Sequence, residues 1–509
     1  MANNQISLAA ARGNFLTWCI SGYLPIAELC RPLFIGQQTL ATVPPGEFRV
    51  VYSVQQARDL FGGGSVLANM AVQHFCSCPD IPLYLAPIPE PSGSYAEHSI
   101  TITGPATDHG ELSVAFLDQV YSIGVIAGAT ASNMATALTA QLAKNVDLPF
   151  VPTAVTNVIT FKAKNSGPVG DWFTPVWNPN FGDRFPEGVS VAQATTPGVG
   201  VLDITPMLPV MTCIWDCVGL GFEDDAAVDI MVAAIRANWR CGVQGDFKGG
   251  HLFHSRTDTA GLIASYGLDR NNPEETVVPV RTGYKYPGYV LAAATTSRVC
   301  CTACTDPSRP VQYDNGVLGC TYDSRQCGTI WSSAEKKAFY DAGIMNWDVA
   351  NSRAVRTTQL WIEEPLTTWK YDPNTGARDG AWQRVESRYT ATKFVRDLGN
   401  WYRRNYASVS LVSDGTRIPP GKRAVSPRIL QASIIAWLRG TQIGFTTEAT
   451  PQQLEQMVRV ERTNTPNNCD PNRVNVLIDL DLVNQLARIA TSIDVSPEFA
   501  CIPPVATAA

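Results

Sequence analysis

Trp361-Ile362-Glu363-Glu364-Pro365-Leu366-Thr367-Thr368-Trp369 stands in the last third of this 509-residue chain, inside an ordered series of local signatures. Gly343-Ile344 precedes it, and Asn374-Thr375-Gly376-Ala377-Arg378-Asp379-Gly380 follows. A basic, aromatic segment surrounds Trp401. The series closes with Val460-Glu461-Arg462-Thr463-Asn464 and Asp470-Pro471-Asn472-Arg473-Val474-Asn475-Val476, leading into Asp481-Leu482-Val483-Asn484-Gln485-Leu486. None of these motifs carries a catalytic constellation.

Working outward, Ser332 and Glu335 have capping-box spacing for a helix that runs through Phe339 and ends at Gly343. Strands are expected at 354–359 and 361–364, an amphipathic helix at 389–406, a second at 427–438 and a half-buried strand at 473–479. Nearer the start, strands at 31–37, 48–52 and 82–87 alternate with helices at 54–60 and around Met70. Ser53 is the expected N-cap of the first helix. Strands at 211–215 and 251–253 with helices at 225–239 and 257–266 resume that alternation, which favours a sheet flanked by helices. Between them, beyond the break at Pro89-Glu90-Pro91-Ser92-Gly93-Ser94, lies an alternating β pattern with one helical stripe (Met134, Leu138, Leu142) and a loop-like 164–195.

The expected fold class is therefore a multidomain α+β and α/β chain. Residues 23–90 and 196–325 form an α/β middle domain, 91–195 a β-rich insertion and 326–485 an inner α/β domain. Residues 1–22 and 486–509 flank these domains; the first are too apolar for a solvated tail, with Ile6, Leu8, Phe15 and Leu16, and the last include the apolar Ile493, Val495 and Phe499. A chain this long exceeds the roughly 250–300 residues that one core organises.

Charged residues make up 17% of the chain, against roughly 25% in an average soluble protein, and the net charge is −6. This balance argues against a nucleic-acid binder that works by neutralising phosphates. No basic leader with an apolar run opens the chain, and no apolar stretch approaches the roughly 20 residues of a spanning helix. The expected compartment is a cytoplasm, where thiols stay reduced by default.

Cys300, Cys301 and Cys304, with Cys320 and Cys327, form the nearest thing to a metal set. Structural zinc favours two close ligand pairs, and here the second pair is too wide. Buried thiols in a Pro-flanked loop are the plainer reading. His251 and His254 fall on opposite faces of a strand. No Ser sits in a Gly-x-Ser-x-Gly elbow. Gly62-Gly63-Gly64-Ser65 precedes a helix but lacks the lysine of a phosphate-binding loop, so a tight turn is expected. Glu363-Glu364 and Asp224-Asp225 diverge. No catalytic, cofactor or metal residue is therefore assigned. One charge pattern does stand out: between Asp414 and Glu448 lie Arg417, Lys422, Arg423, Arg428 and Arg439 and no acidic residue. That face is either solvated or docks an acidic partner.

The ordered C-terminal series resembles the contractile phage tail sheath family of the Mu-like type. Arg31-Pro32-Leu33-Phe34-Ile35-Gly36-Gln37, Ser53-Val54-Gln55-Gln56-Ala57, Phe61-Gly62-Gly63-Gly64-Ser65 and Asp306-Pro307-Ser308-Arg309-Pro310 extend the likeness along most of the chain. It departs from the family at its extreme N-terminus and at the cysteines near 300. The resemblance implies a non-enzymatic subunit without cofactors that polymerises as stacked six-fold rings around a tail tube and contracts to drive the tube through a host envelope. Baseplate and tail terminator proteins are the implied partners, without direct nucleic-acid contact or membrane insertion. The implied location is the virion tail, and the host cytoplasm during assembly. Lys422, Arg423, Arg428 and Arg439 then become tube-facing, and the two apolar ends become arms that complete neighbouring sheets. The alternatives are the sheath of a capsid-less, tailocin-like injection device and, from another class, a zinc or thiol enzyme.

Overall fold

The computed structural model describes residues 31–239, 247–312, 316–323, 330–349, 357–462 and 472–485. The proposed arm residues Ile6, Leu8, Phe15, Leu16, Ile493, Val495 and Phe499 lie outside the described residues. The chain is a mixed α/β protein with several sheets and 11 α-helices among the described residues.

A six-stranded sheet organises it, in the order Glu275–Arg281, His251–Asp258, Cys217–Leu220, Pro32–Gln37, Leu83–Ile88, Arg49–Val51. The first five strands run parallel and the last antiparallel. Parallel strands need crossover connections, and helices on both faces supply them. Strand alternation divides the side chains between two cores. Phe34, Leu83, Leu85, Cys217 and Phe253 enter one, with helices Val54–Phe61, Val66–Ser77 and Gly288–Thr305. Leu33, Ile35, Ala86, Val218, Leu220 and Leu252 enter the other, with helix Asp225–Asn238. The 326–485 segment contributes to both cores. Phe339, Trp347, Leu360 and Val385 join the first, while Phe394, Leu398, Ile434 and Leu454 join the second.

Along the chain, the five parallel strands take the spatial order second, first, third, fourth, fifth, which puts a topological switch point between Pro32–Gln37 and Cys217–Leu220. In open α/β sheets the crevice at the carboxyl ends there is the usual ligand site. Here the inserted block fills it. Its Asn165 carboxamide oxygen accepts from the Val66 amide at 3.1 Å, at the start of helix Val66–Ser77, where an anion would otherwise sit. Gln37 Nε2 donates to Glu90 at 3.0 Å and to the Ser166 carbonyl at 2.8 Å, and the Ser166 amide donates to Glu90 at 2.8 Å. Lys164 Nζ donates to the Gly63 and Val146 carbonyls at 2.8 Å each. The insertion has its own core around Phe116, Phe150, Phe161 and helix Ala131–Leu142. Its hairpin tip also docks on the sheet domain: Asp118 accepts from Lys285 at 2.9 Å and Tyr286 at 2.6 Å.

Three local expectations need correction. The strand expected at 211–215 is Cys217–Leu220, because helix Met207–Val210 turns the chain and Trp215 donates back to the Val210 carbonyl at 2.8 Å. The cysteines near 300 lie in helix Gly288–Thr305, not in a loop: Pro287 and Pro307 bound this buried helix instead of breaking it. The loop-like 164–195 contains most of strand Ser190–Thr196, an edge of the inserted sheet.

Gly64 has φ +79°, and a Cβ there would lie 2.2 Å from the Leu148 carbonyl oxygen and 2.4 Å from Lys164 Nζ. Gly415 has φ +79° as well, with nothing within 4 Å of such a Cβ. Gly415→Ala should cost about 1 kcal/mol, the backbone penalty alone, whereas Gly64→Ala should cost roughly 2–3 kcal/mol. Equal losses in urea denaturation would contradict the docking of the insertion against this loop.

Candidate partner-facing surface

Helix Pro427–Trp437 begins as its sequence requires: Ser426 accepts from the Ile429 amide and Pro427 occupies the first turn, where its missing N–H costs nothing. Leu430, Ile434 and Leu438 are buried in the second core. Arg428, Ile429, Ala432 and Ala436 face outward, and a π-helical turn, Leu438–Gln442, presents Arg439 and Gly440 beyond them. The exposed face is thus narrow and small-sided at its centre with a cation at each end, some 11 residues or about 16 Å apart. Behind the helix, a two-stranded ribbon of Val458–Arg462 and Val474–Ile478 supports it, and Gln431 Nε2 donates to the Val458 carbonyl at 2.8 Å.

All four sequence-predicted basic residues are exposed, but their surroundings differ. Lys422 and Arg423 sit in the turn that leads through Ala424–Val425 into the helix, beside Arg428. Asp414 accepts from the Arg428 amide at 3.0 Å. Hydrogen bonds from the Ser426 side chain and that amide hold Asp414 below the usual carboxylate range, so it offsets part of the positive charge. Arg439 stands apart, paired with Glu455 at 2.9 Å and donating to the Pro451 carbonyl. The basic corner is therefore Arg417, Lys422, Arg423 and Arg428, with Arg439 locally neutralised.

Amphipathic periodicity does not reveal the polar side chains beneath this surface. Arg388 and Arg396 of helix Val385–Tyr406 are 1% and 3% exposed. Arg396 donates to Asp216 at 2.6 Å, and Arg388 lies 3.6 Å from Glu274, with its guanidinium 3.4 Å from the Trp239 ring centroid. Such groups are legible only through partners remote in sequence.

Elsewhere the polar groups are engaged in packing. His251 faces the Thr276 hydroxyl at 2.8 Å and His254 faces Glu275 at 2.8 Å, so they do not converge. Burial would raise Glu275, but hydrogen bonds and charge from His254 and Arg270 hold it at about 2. Cys78 and Cys301 share a hydrogen bond that raises the first thiol and lowers the second, with Arg298 assisting the latter. The Cys300 and Cys217 thiols share a hydrogen bond, and that contact together with burial raises Cys300. Among the described residues, no three His, Cys, Asp or Glu side chains form a group that could hold a metal, and no helix is long and apolar enough to cross a membrane.

Over 485 residues the sequence is 28% identical to the Mu-like prophage FluMu tail sheath protein of Haemophilus influenzae, covering 94% of each chain. The chain is a homologue of that tail sheath protein. No protein-family profile matches it. Among solved structures, the chain is similar to the sheath tail protein of Desulfitobacterium hafniense, with a TM-score of 0.46, 10% identity and coverage of 93% of this chain and 97% of that one. It is also similar to the helical sheath of the anti-feeding prophage in its contracted state, with a TM-score of 0.45, 11% identity and coverage of 96% and 99%.

Buried histidines, His74 among them, give the fold an acid limit. His74 is fully buried between the Ile81 carbonyl, 2.8 Å from Nε2, and the Ser297 hydroxyl, 2.9 Å from Nδ1. Burial lowers its pKa from 6.5 to about 4, against a smaller raising effect of the Ile81 bond. Between those values the unfolded chain binds the extra proton and the folded chain does not. Its contribution is therefore present above pH 6.5 and lost as the pH falls towards 4, by about 3 kcal/mol in all. His74→Gln should flatten the stability–pH slope across this window in denaturant titrations, and an unchanged slope would exclude His74 as its source.

Proposed function

We propose that this chain is the subunit of a contractile tail sheath, polymerising helically around a tail tube and shortening to drive that tube through a host cell envelope. The observation that carries this reading is the end-to-end likeness to a Mu-like tail sheath protein, 94% of both chains. A homology that covers both chains end to end fits one whole mechanical part better than a shared module. The role is structural, and its place is a virion tail assembled in the host cytoplasm.

On this reading residues 326–485 form the inner, tube-facing part, 23–90 with 196–325 the middle, and 91–195 the outer insertion. Residues 1–22 and 486–509 are linking arms. The two-stranded ribbon supports the linking role. Among the described residues two strands pair there, and an added strand from a neighbour would extend the ribbon. Copies joined head to tail in this way form an open helix, since the contact does not close. The exposed corner of Lys422, Arg423 and Arg428 and the small-sided face of helix Pro427–Trp437 suit close approach to an acidic tube surface. The proposed partners are further copies, the tube protein, the baseplate and the tail terminator.

Purified full-length protein should form tubes visible by electron microscopy, and deletion of residues 1–20 or 490–509 should abolish them while circular dichroism stays native. A monodisperse monomer under all conditions would reject the sheath reading, and intact tubes from either truncation would reject that arm. Lys422→Glu, Arg423→Glu and Arg428→Glu should each change stability by no more than about 0.5 kcal/mol, because the three are exposed. The triple variant should lower co-assembly with tube well below self-assembly, and equal losses would remove the tube-facing assignment.

A further inference from the structure

Asp216 precedes strand Cys217–Leu220 and is 1% exposed, with every polar atom of its backbone and side chain engaged. Its amide donates to the Arg31 carbonyl at 3.1 Å, and its Oδ2 accepts from the Arg31 amide at 2.9 Å. Its Oδ1 accepts from Arg396 Nη1 at 2.6 Å, and Arg396 Nη2 donates to the Lys248 carbonyl at 2.5 Å. Its carbonyl accepts from the His251 amide at 3.1 Å and the Tyr389 hydroxyl at 3.2 Å. One residue thus ties the start of two neighbouring strands to helix Val385–Tyr406, which reaches into both cores.

Arg31 opens the central strand Pro32–Gln37, which is paired on both sides. A pull on the chain before it enters the middle of the sheet along the strand axis. Strand ends open before their centres do, so among the bonds of the described residues the two between Arg31 and Asp216 are loaded first. Asp216 passes that load to Arg396 through a charge-assisted hydrogen bond shielded from water, and the buried pair yields far less readily than an exposed one.

We infer that Asp216, held by Arg396, is the anchor of the amino end of strand Pro32–Gln37: it holds the chain where it enters the sheet and carries tension that reaches that point from the N-terminal side in the polymer. This rests on the sheath reading and on the arm assigned to residues 1–22. Asp216 and Arg396 are positioning residues, acting through the Arg31 backbone.

The test uses full-length protein carrying Asp216→Asn or, separately, Arg31→Pro. The proline removes the amide donor to Asp216 together with the Arg31 side chain and leaves the Asp216–Arg396 pair intact, and Arg31→Ala, which keeps the amide, separates the two losses. Asp216→Asn and Arg31→Pro should keep native circular dichroism, and their tubes should lose subunits at a lower urea concentration than wild type. In Asp216→Asn, amide exchange at Arg31 and Leu33 should speed up at least about tenfold while the Val277–Val280 amides stay protected. If Asp216→Asn does not fold, the tube resistance of Arg31→Pro decides. Wild-type tube resistance in a folded variant, alongside failure of the 1–20 deletion to assemble, would overturn the anchor and leave the sheath reading standing. Normal tubes from that deletion would instead overturn the arm, and the anchor with it.

Discussion

Two arginines buried on one helix hold the parts of this protein together. Helix Val385–Tyr406 passes the amino ends of the parallel strands, placing Arg396 against Asp216 and Arg388 against Glu274. Arg388 also lies against Trp239, with Trp382 on another side at 5.2 Å. Burial lowers Arg388 to about 10, so it stays protonated at neutral pH and needs its carboxylate. Removing one member of such a pair leaves a buried charge uncompensated, at a cost of about 3–5 kcal/mol. The same helix sends Val385 and Tyr389 into one core and Phe394, Val395 and Leu398 into the other. A displacement at one core is therefore felt at the other.

The inserted block is secured by a different principle. It occupies the carboxyl-end crevice of a doubly wound sheet with its own side chains, so the helix N-terminus at Val66 is satisfied by Asn165. Arg58 with Asp147, Trp172 with the Tyr284 carbonyl, and Asp118 with Lys285 and Tyr286 add attachments around that point. A place where many α/β proteins bind a small ligand is given over to internal docking.

Much of the local structure was legible. Ser332 and Glu335 form the capping box read from their spacing, and Gly343 closes that helix at φ +71°. Ser53 caps its helix, and the strand expected at 31–37 is Pro32–Gln37. The misreadings share one cause. Residues 211–215 are as β-prone as Cys217–Leu220, yet only the latter align beside Pro32–Gln37. The prolines near 300 look like breakers until burial of Gly288–Thr305 shows them as its boundaries. The basic corner was legible as charge, but pairing of Arg439 with Glu455 was not.

The sequence by itself determined the order of most elements, the caps that start and stop them and the collinear motifs that resemble those of tail sheaths, because each depends on residues a few positions apart. Tertiary structure alone decided that Asn165 fills the switch point, that Arg388 and Arg396 are buried, and that the 326–485 segment shares both cores. Those outcomes rest on partners roughly a hundred or more residues away, where burial and charge pairing override local pattern.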